Sequence, residues 1–314
     1  MSLSMDGKIA VIGSSNTDMV VKTPKLPLPG ETTLGGKFFM FPGGKGANQA
    51  VAAARLGGAV TFIARLGDDV FGKQALAGFR KEGIDTSFVG TDPDEPSGVA
   101  LITVDAKGEN VIAVAPGANA RLSEADVDKA GGRLQGVDVL LLQLEVPLPT
   151  VVHVAKYGFA QGKKVILNPA PAQRLPDDLL PCLYLVTPNE TEAEILTGIR
   201  VSDTESAARA AELLHRKGVR QVVITLGARG AYVHTDEVAT LVPAPQVTAV
   251  DTTAAGDVFN GALAVAIAKG SPIDPAVAFA CRAAALSVTR MGAQASAPYL
   301  SELSTPTLFS NTQF

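Results

Sequence analysis

The chain has 314 residues, 46 % of them apolar and 18 % charged, with a formal net charge of −4. Those proportions exclude a disordered chain. With no basic run in the sequence they also argue against a nucleic-acid groove or a polybasic membrane surface, so a small soluble partner fits better.

At this length a sizeable core can be buried in one large domain or two ordinary ones. Cys182 and Cys281 are the only cysteines and stand far apart. That supports neither a disulfide framework nor a thiolate zinc site and is compatible with the cytoplasm. Met1–Ser4 read as an added or frayed leader, and no uninterrupted apolar run is long enough to span a membrane.

Lys8–Gly13, KIAVIG, reads as a short buried strand that ends in the polar cluster SSNTD. Ligands of open α/β sheets collect at that edge, so Asn16 and Asp18 are candidates to hold hydroxyl groups, with an Asx turn as the alternative. Between Met19 and Met40, short β-branched or aromatic runs are broken by Pro24, Pro27, Pro29 and Gly30. Two further short strands, Gly98–Val104 and Asn110–Ala115, flank a hairpin-like turn. These two insertions of β character are expected to build one small sheet over the site. The lid would comprise 17–41 and 98–115, leaving 5–16, 42–97 and 116–314 as the large domain.

Pro42–Asn48, PGGKGAN, leads into QAVAAARLGG, where small apolar residues recur at helical spacing and Gly57 can end the helix. The glycines let a ligand approach the main chain, while Lys45 and Asn48 offer polar groups; the P-loop spacing is absent. A plain helix start would leave the same pattern.

From Val60 onward strands and helices alternate. Strands are expected at Thr61–Leu66, Val137–Leu144, Lys164–Leu167, Tyr184–Val186 and Gln221–Leu226, and helices at Val70–Lys81, Thr150–Gln161, Glu190–Leu196 and Thr204–Lys217. Continuously apolar strands imply burial on both faces. The expected fold class is therefore α/β, a three-layer, mostly parallel central sheet flanked by helices, with a small β-sheet lid. Polar residues gather after the strand ends: Glu145, Asn168, Asn189 with Glu192, and Thr225 with Gly227 and Gly230. Each alone reads equally as a cap or turn, but together on one edge they mark a ligand crevice. His153, His215 and His234 lack metal-ligand spacing and are expected at the surface, and no G-x-S-x-G elbow is present.

Asp251–Gly261, DTTAAGDVFNG, follows a β-type run, Val247–Val250, and opens a helix-type run, Val258–Ala268. A helix N-terminus attracts phosphate through its free N–H groups, here expected from Ala254, Ala255, Gly256 and Asp257. The helix dipole should keep Asp257 ionised. An anion hole beside a carboxylate that can take a proton is the equipment for moving a phosphoryl group to an alcohol. Asp and Thr are also ordinary capping residues, so the stretch alone leaves both readings open.

GGKGAN at Gly43–Asn48 and DTTAAGD at Asp251–Asp257 occur in order, with NPAPA at Asn168–Ala172 and TPNETEAE between them. On these motifs the chain resembles the ribokinase-like carbohydrate kinases over nearly its whole length. The resemblance implies sugar contacts at Asn16, Asp18, Gly44, Lys45, Asn48 and Glu145, with Asp257 as the catalytic base. It implies ATP against Asn189, Thr225, Gly227, Gly230 and Gly256, with Cys281 in the adenine pocket. Mg²⁺ would be organised through water by Asn189 and Glu192, and K⁺ held by Asp251, Thr253, Ser287, Arg290, Gly292 and Ser296. Lid edges would pair two copies into a homodimer. The implied activity is ATP-dependent phosphorylation of D-ribose at O5, giving ribose 5-phosphate and ADP. Deoxyribose, fructose or a nucleoside are alternative substrates, and a catalytically inactive sugar-binding regulator is the alternative of another class. Two positions depart from the family pattern. Many members carry glycine at the position of Ala254, where alanine restricts φ, and a larger polar residue is common at the position of Cys281.

Overall fold

The computed structural model describes residues 7–303. The leader expected at Met1–Ser4 and the outer bounds of the large domain, 5 and 314, lie outside the described residues.

Strand β1 (Lys8–Ile12) has no polar face. Ile9 and Val11 enter one hydrophobic core, and Ala10 and Ile12 enter a second core on the other side of the sheet. Strands β2 (Asn16–Lys22) and β3 (Lys37–Gly43) follow, then β4 (Ala59–Gly67), β5 (Asp85–Asp92), β6 (Gly98–Val104) and β7 (Asn110–Ala115). The remaining strands are β8 (Val139–Leu142), β9 (Lys164–Leu167), β10 (Leu185–Val186), β11 (Gln221–Thr225), β12 (Ala231–His234) and β13 (Ala239–Val242). Nine of them form one sheet in the order β13-β12-β11-β10-β9-β8-β1-β4-β5. Its pairs are parallel except β11 with β12 and β12 with β13. The other four make a separate sheet in the order β3-β2-β6-β7.

β1 pairs with β4 on one side and β8 on the other. The chain therefore reverses its direction of winding at β1, and the C-terminal ends of β1 and β8 frame the crevice where such sheets bind ligands. β2 leaves β1 at that point and carries the chain into the small sheet, so the four-stranded layer is rooted at the crevice itself.

Several details differ from the sequence expectations. Val247–Val250 forms no strand. Val250 is 59 % exposed and, apart from its N–H donating to the Val288 carbonyl at 2.7 Å, the segment joins no ladder; β-branched residues make a strand only where a partner ladder exists. The following helix begins at Ala255 rather than Val258. β5 escaped notice because it is a polar, half-exposed edge strand. The helix Ile273–Ser287 escaped notice because small residues hide its period. All three histidines are half-buried rather than on the surface, and His215 packs edge-on against His234 with ring centroids 5.1 Å apart. No described helix is long and apolar enough to cross a membrane.

Candidate active site

Two helices meet behind the crevice. The helix Lys45–Arg55 turns a face of Ala47, Ala50, Val51 and Ala53 inward, and the helix Ala255–Ala268 is buried almost throughout. They touch at Gly261, where a Cβ would sit 2.7 Å from the Gln49 carbonyl oxygen and 2.8 Å from Ala52 Cβ. Only glycine permits that approach, and the approach is what brings Asn48 and Gln49 to Asp257.

Asp257, 6 % exposed, is the third residue of its helix. Its Oδ2 accepts from Asn48 Nδ2 at 2.9 Å and its Oδ1 from Gln49 Nε2 at 3.0 Å. Burial raises its pKa above the usual carboxylate value, against the pull of Lys45 and the two amide donors. Desolvation thus opposes the helix dipole expected to favour the ionised form, while Lys45 and the two amide donors act with the dipole.

The turn before Asp257 is unusual in one residue. Ala254 sits in the left-handed region at φ 59°, the sole non-glycine to do so among the described residues. The conformation swings the helix end outward without a side-chain cap. The N–H of Ala255 turns back onto the Thr252 carbonyl at 3.2 Å, so of the four expected donors those of Ala254, Gly256 and Asp257 stay open at the helix end.

Around Asp257 the sequence candidates converge from separate elements. Lys45 opens its helix behind Gly44, whose φ of 87° and contact with the backbone of Ser15 and Asn16 leave no room for a Cβ. Burial works against the Lys45 ammonium, but Asp257, Glu145, Glu192 and Asp18 outweigh it and hold its pKa above the ordinary value. Glu145 Oε2 accepts from Ser14 Oγ at 2.5 Å and from the Lys45 N–H at 2.9 Å, tying the ends of β1 and β8 to the helix start. Asp18 is pushed up to about 6, by burial first and then by Glu145 and Asp257. Asn16 has its Oδ1 fixed by Asn119 Nδ2 at 2.7 Å, which leaves its own amide N–H₂ to donate. Asn119, Ser14 and Gln49 were not among the sequence candidates. Gln49 alone carried a signal, standing directly after GGKGAN.

Two cavities border the turn that precedes Asp257. One, of ≈ 260 Å³, is lined by Thr225, Gly227, Gly230, Gly256 and Cys281, among apolar neighbours such as Phe259 and Val288. Burial pushes the Cys281 thiol up to about 12, so it is a neutral wall. Asn189 bridges to Thr225 nearby and caps the helix Glu190–Thr197 reciprocally with Glu192, whose pKa burial raises. The other cavity, of ≈ 560 Å³, lies between the small sheet (Asp18, Val20, Ile102, Ile112) and the loop Asp251–Thr253.

Asp251 accepts from the Thr253 N–H at 2.9 Å and the Gly292 N–H at 2.8 Å. Although burial works against it, these bonds hold its pKa below the usual range. It thereby joins two segments of the candidate cation set. Ser287 and Ser296 donate within their own segments, to Ala284 and Ala293. Arg290 is paired with Glu302, so only its carbonyl could serve a cation. Among the described residues no three His, Cys, Asp or Glu side chains cluster as a metal site.

A family model, pfkB family carbohydrate kinase, matches residues 6–300. The chain belongs to the pfkB family of carbohydrate kinases. Ribokinase of Haemophilus influenzae is 47 % identical over 92 % of this chain and 95 % of that protein. Deoxyribokinase of Salmonella typhi is 41 % identical over 94 % of this chain and 96 % of that protein. A structure of Arabidopsis thaliana ribokinase complexed with ribose and ATP superposes with a TM-score of 0.88 at 32 % identity, covering 98 % of this chain and 100 % of that one. The three-layer fold with its small separate sheet is thus the family's architecture.

Proposed function

We propose that this pfkB-family chain transfers the γ-phosphoryl group of ATP to the 5-hydroxyl of D-ribose. The observation that carries the reading is Asp257, a buried carboxylate held by two amide donors at the mouth of an uncapped helix end. The sugar occupies the lid-side cavity, with Asp18, Asn16, Lys45, Asn48 and Glu145 taking its hydroxyls and Gly44 giving room. The nucleotide occupies the other cavity, its phosphates directed at the N–H groups of Gly256 and Asp257. Asp257 accepts the hydroxyl proton as the oxygen attacks. Its raised pKa suits a base that must hold that proton, and Lys45 offsets charge between the two substrates.

Asn189 and Glu192 fit a water-mediated Mg²⁺ site, since one carboxylate and one amide suit a cation that keeps most of its waters. A Mg²⁺ held there would supply positive charge to offset that of the ATP phosphates. Asp251 and the carbonyls of Thr253, Ser287, Arg290, Gly292 and Ser296 form an oxygen-only set suited to K⁺.

The lid also pairs two copies. β7 is an edge strand exposed along its whole length, and Val111, Ile112 and Val114 are each more than half exposed. Such an edge calls for a partner. A cytoplasmic setting suits the two unpaired cysteines.

The deoxyribokinase relative favours 2-deoxyribose as the second reading. ADP release measured with ribose, 2-deoxyribose, fructose and adenosine, in K⁺ and in a bulky organic cation, separates them. Ribose should give the highest kcat/KM, and K⁺ should raise it; a preference for any other acceptor would overturn the assignment.

A further inference from the structure

Behind Asp257 lies a chain of uncharged, buried side chains. Gln49 Nε2 donates both to Asp257 Oδ1 at 3.0 Å and to Asn168 Oδ1 at 2.9 Å. Asn168 Nδ2 donates to the Thr187 carbonyl at 3.3 Å, and Thr187 Oγ1 donates to Asn260 Oδ1 at 2.5 Å. Asn260 Nδ2 closes the path by donating to the Gly256 carbonyl at 2.8 Å. Gln49 is itself clamped from behind, its Oε1 accepting from Gln143 Nε2 at 2.6 Å. Gln49, Asn168, Thr187 and Asn260 are all between 0 % and 6 % exposed.

The two ends of this path are the two parts of the proposed machinery. One end holds the carboxylate of Asp257. The other holds the carbonyl of the peptide unit whose N–H belongs to Asp257, an open donor at the helix end. Burying four polar side chains is costly unless each finds partners, and a run of partnered amides allows one arrangement of the whole. Neutral groups suit the task. The charged groups that bear on Asp257 are Lys45 from the helix start, Glu145 after β8, Asp18 from β2 and Glu192 from the helix Glu190–Thr197. A further charge at the position of Gln49 would compete with them.

We propose that Gln49, Asn168, Thr187 and Asn260 are positioning residues that fix the Asp257 carboxylate and the Gly256–Asp257 peptide relative to one another, so that base and anion hole act on the same reacting oxygen and phosphoryl. The inference rests on Asp257 being the base and goes beyond it in assigning the group that orients it.

The test is the single-turnover phosphorylation rate as a function of pH for wild type, Gln49→Met, Thr187→Val and Asp257→Asn, with KM for sugar and ATP. Gln49→Met withdraws a donor from the ionised carboxylate, so the acid limb of the rate profile should move to higher pH by about one unit, with the neutral-pH rate lowered about tenfold. Thr187→Val keeps the shape but cuts the path midway, touching neither end. It should lower the rate about threefold or more while leaving both KM values within about twofold. A merely structural role would lower the melting temperature and leave the rate and acid limb of folded enzyme unchanged, and that result in both variants overturns the proposal. Should Gln49→Met fail to fold, Thr187→Val decides alone: an unaltered rate refutes the chain. Wild-type turnover in Asp257→Asn would instead overturn the reading of Asp257 as the base.

Discussion

Asp18 places the proposed sugar side of the site in conflict with stability. Its pKa rises from 3.8 to about 6 because burial, and then Glu145 and Asp257, disfavour its charge, Lys45 compensating only in part. Below the unfolded value both states carry the proton and the group is neutral in the balance. Between 3.8 and about 6 the unfolded chain ionises while the folded one keeps its proton, so stability falls as pH rises, and above about 6 the cost is constant. A shift of that size is worth about 1–3 kcal/mol once solvent screening of a half-buried group is allowed for. Asp18→Asn, near in shape but without charge, should therefore be more stable than wild type by that amount in urea unfolding near neutral pH. The advantage should vanish below about pH 4. With Asp18 holding a sugar hydroxyl as proposed, the same change removes that acceptor and should raise KM for ribose about 10- to 100-fold. A variant less stable than wild type at neutral pH, or one whose stability difference ignores pH, would refute the reasoning.

Other substitutions probe the frame around the site. Ala254→Gly relieves a left-handed alanine and should add about 0.5–1 kcal/mol in urea unfolding while retaining activity, glycine's own chain entropy taking back part of the gain. Gly261→Ala drives a methyl into the Gln49 carbonyl and Ala52, and should cost about 1–3 kcal/mol of stability and lower kcat by moving Asn48 and Gln49 away from Asp257. If the lid pairs two copies as proposed, wild type should sediment as a dimer and Val114→Glu, which puts a charge on the exposed lid strand, as a monomer; a monomeric wild type, or a variant that stays dimeric, would refute the lid pairing.

The central sheet was legible because its strands are apolar on both faces, as Ile9–Ile12 and Val139–Leu142 show, and because helices such as Val70–Lys81 carry an amphipathic period. The lid strands at Gly98–Val104 and Asn110–Ala115 were legible from β-branched runs around a turn. Val247–Val250 misled for the complementary reason: propensity without a pairing partner. Within the site, the Gly-rich stretch and DTTAAGD pointed to Lys45, Asn48 and Asp257. Asn119 and Gln49 left little trace, because what makes them matter is a contact across a long stretch of chain, Asn119 to Ser15 and Asn16, Gln49 to Asp257. The left-handed turn at Ala254 was foreshadowed only by the glycine that many family members carry there, since an alanine does not by itself mark a positive φ. The raised pKa of Asp257 was missed because a helix dipole can be read from sequence and depth of burial cannot.

The most direct measurement is the single-turnover rate of Asp257→Asn with ribose and ATP, alongside ribose affinity by calorimetry. The account predicts a rate lowered at least about 10²-fold with ribose affinity nearly retained, the signature of a base lost from an otherwise assembled site. A folded Asp257→Asn protein that phosphorylates ribose at close to the wild-type rate would contradict it.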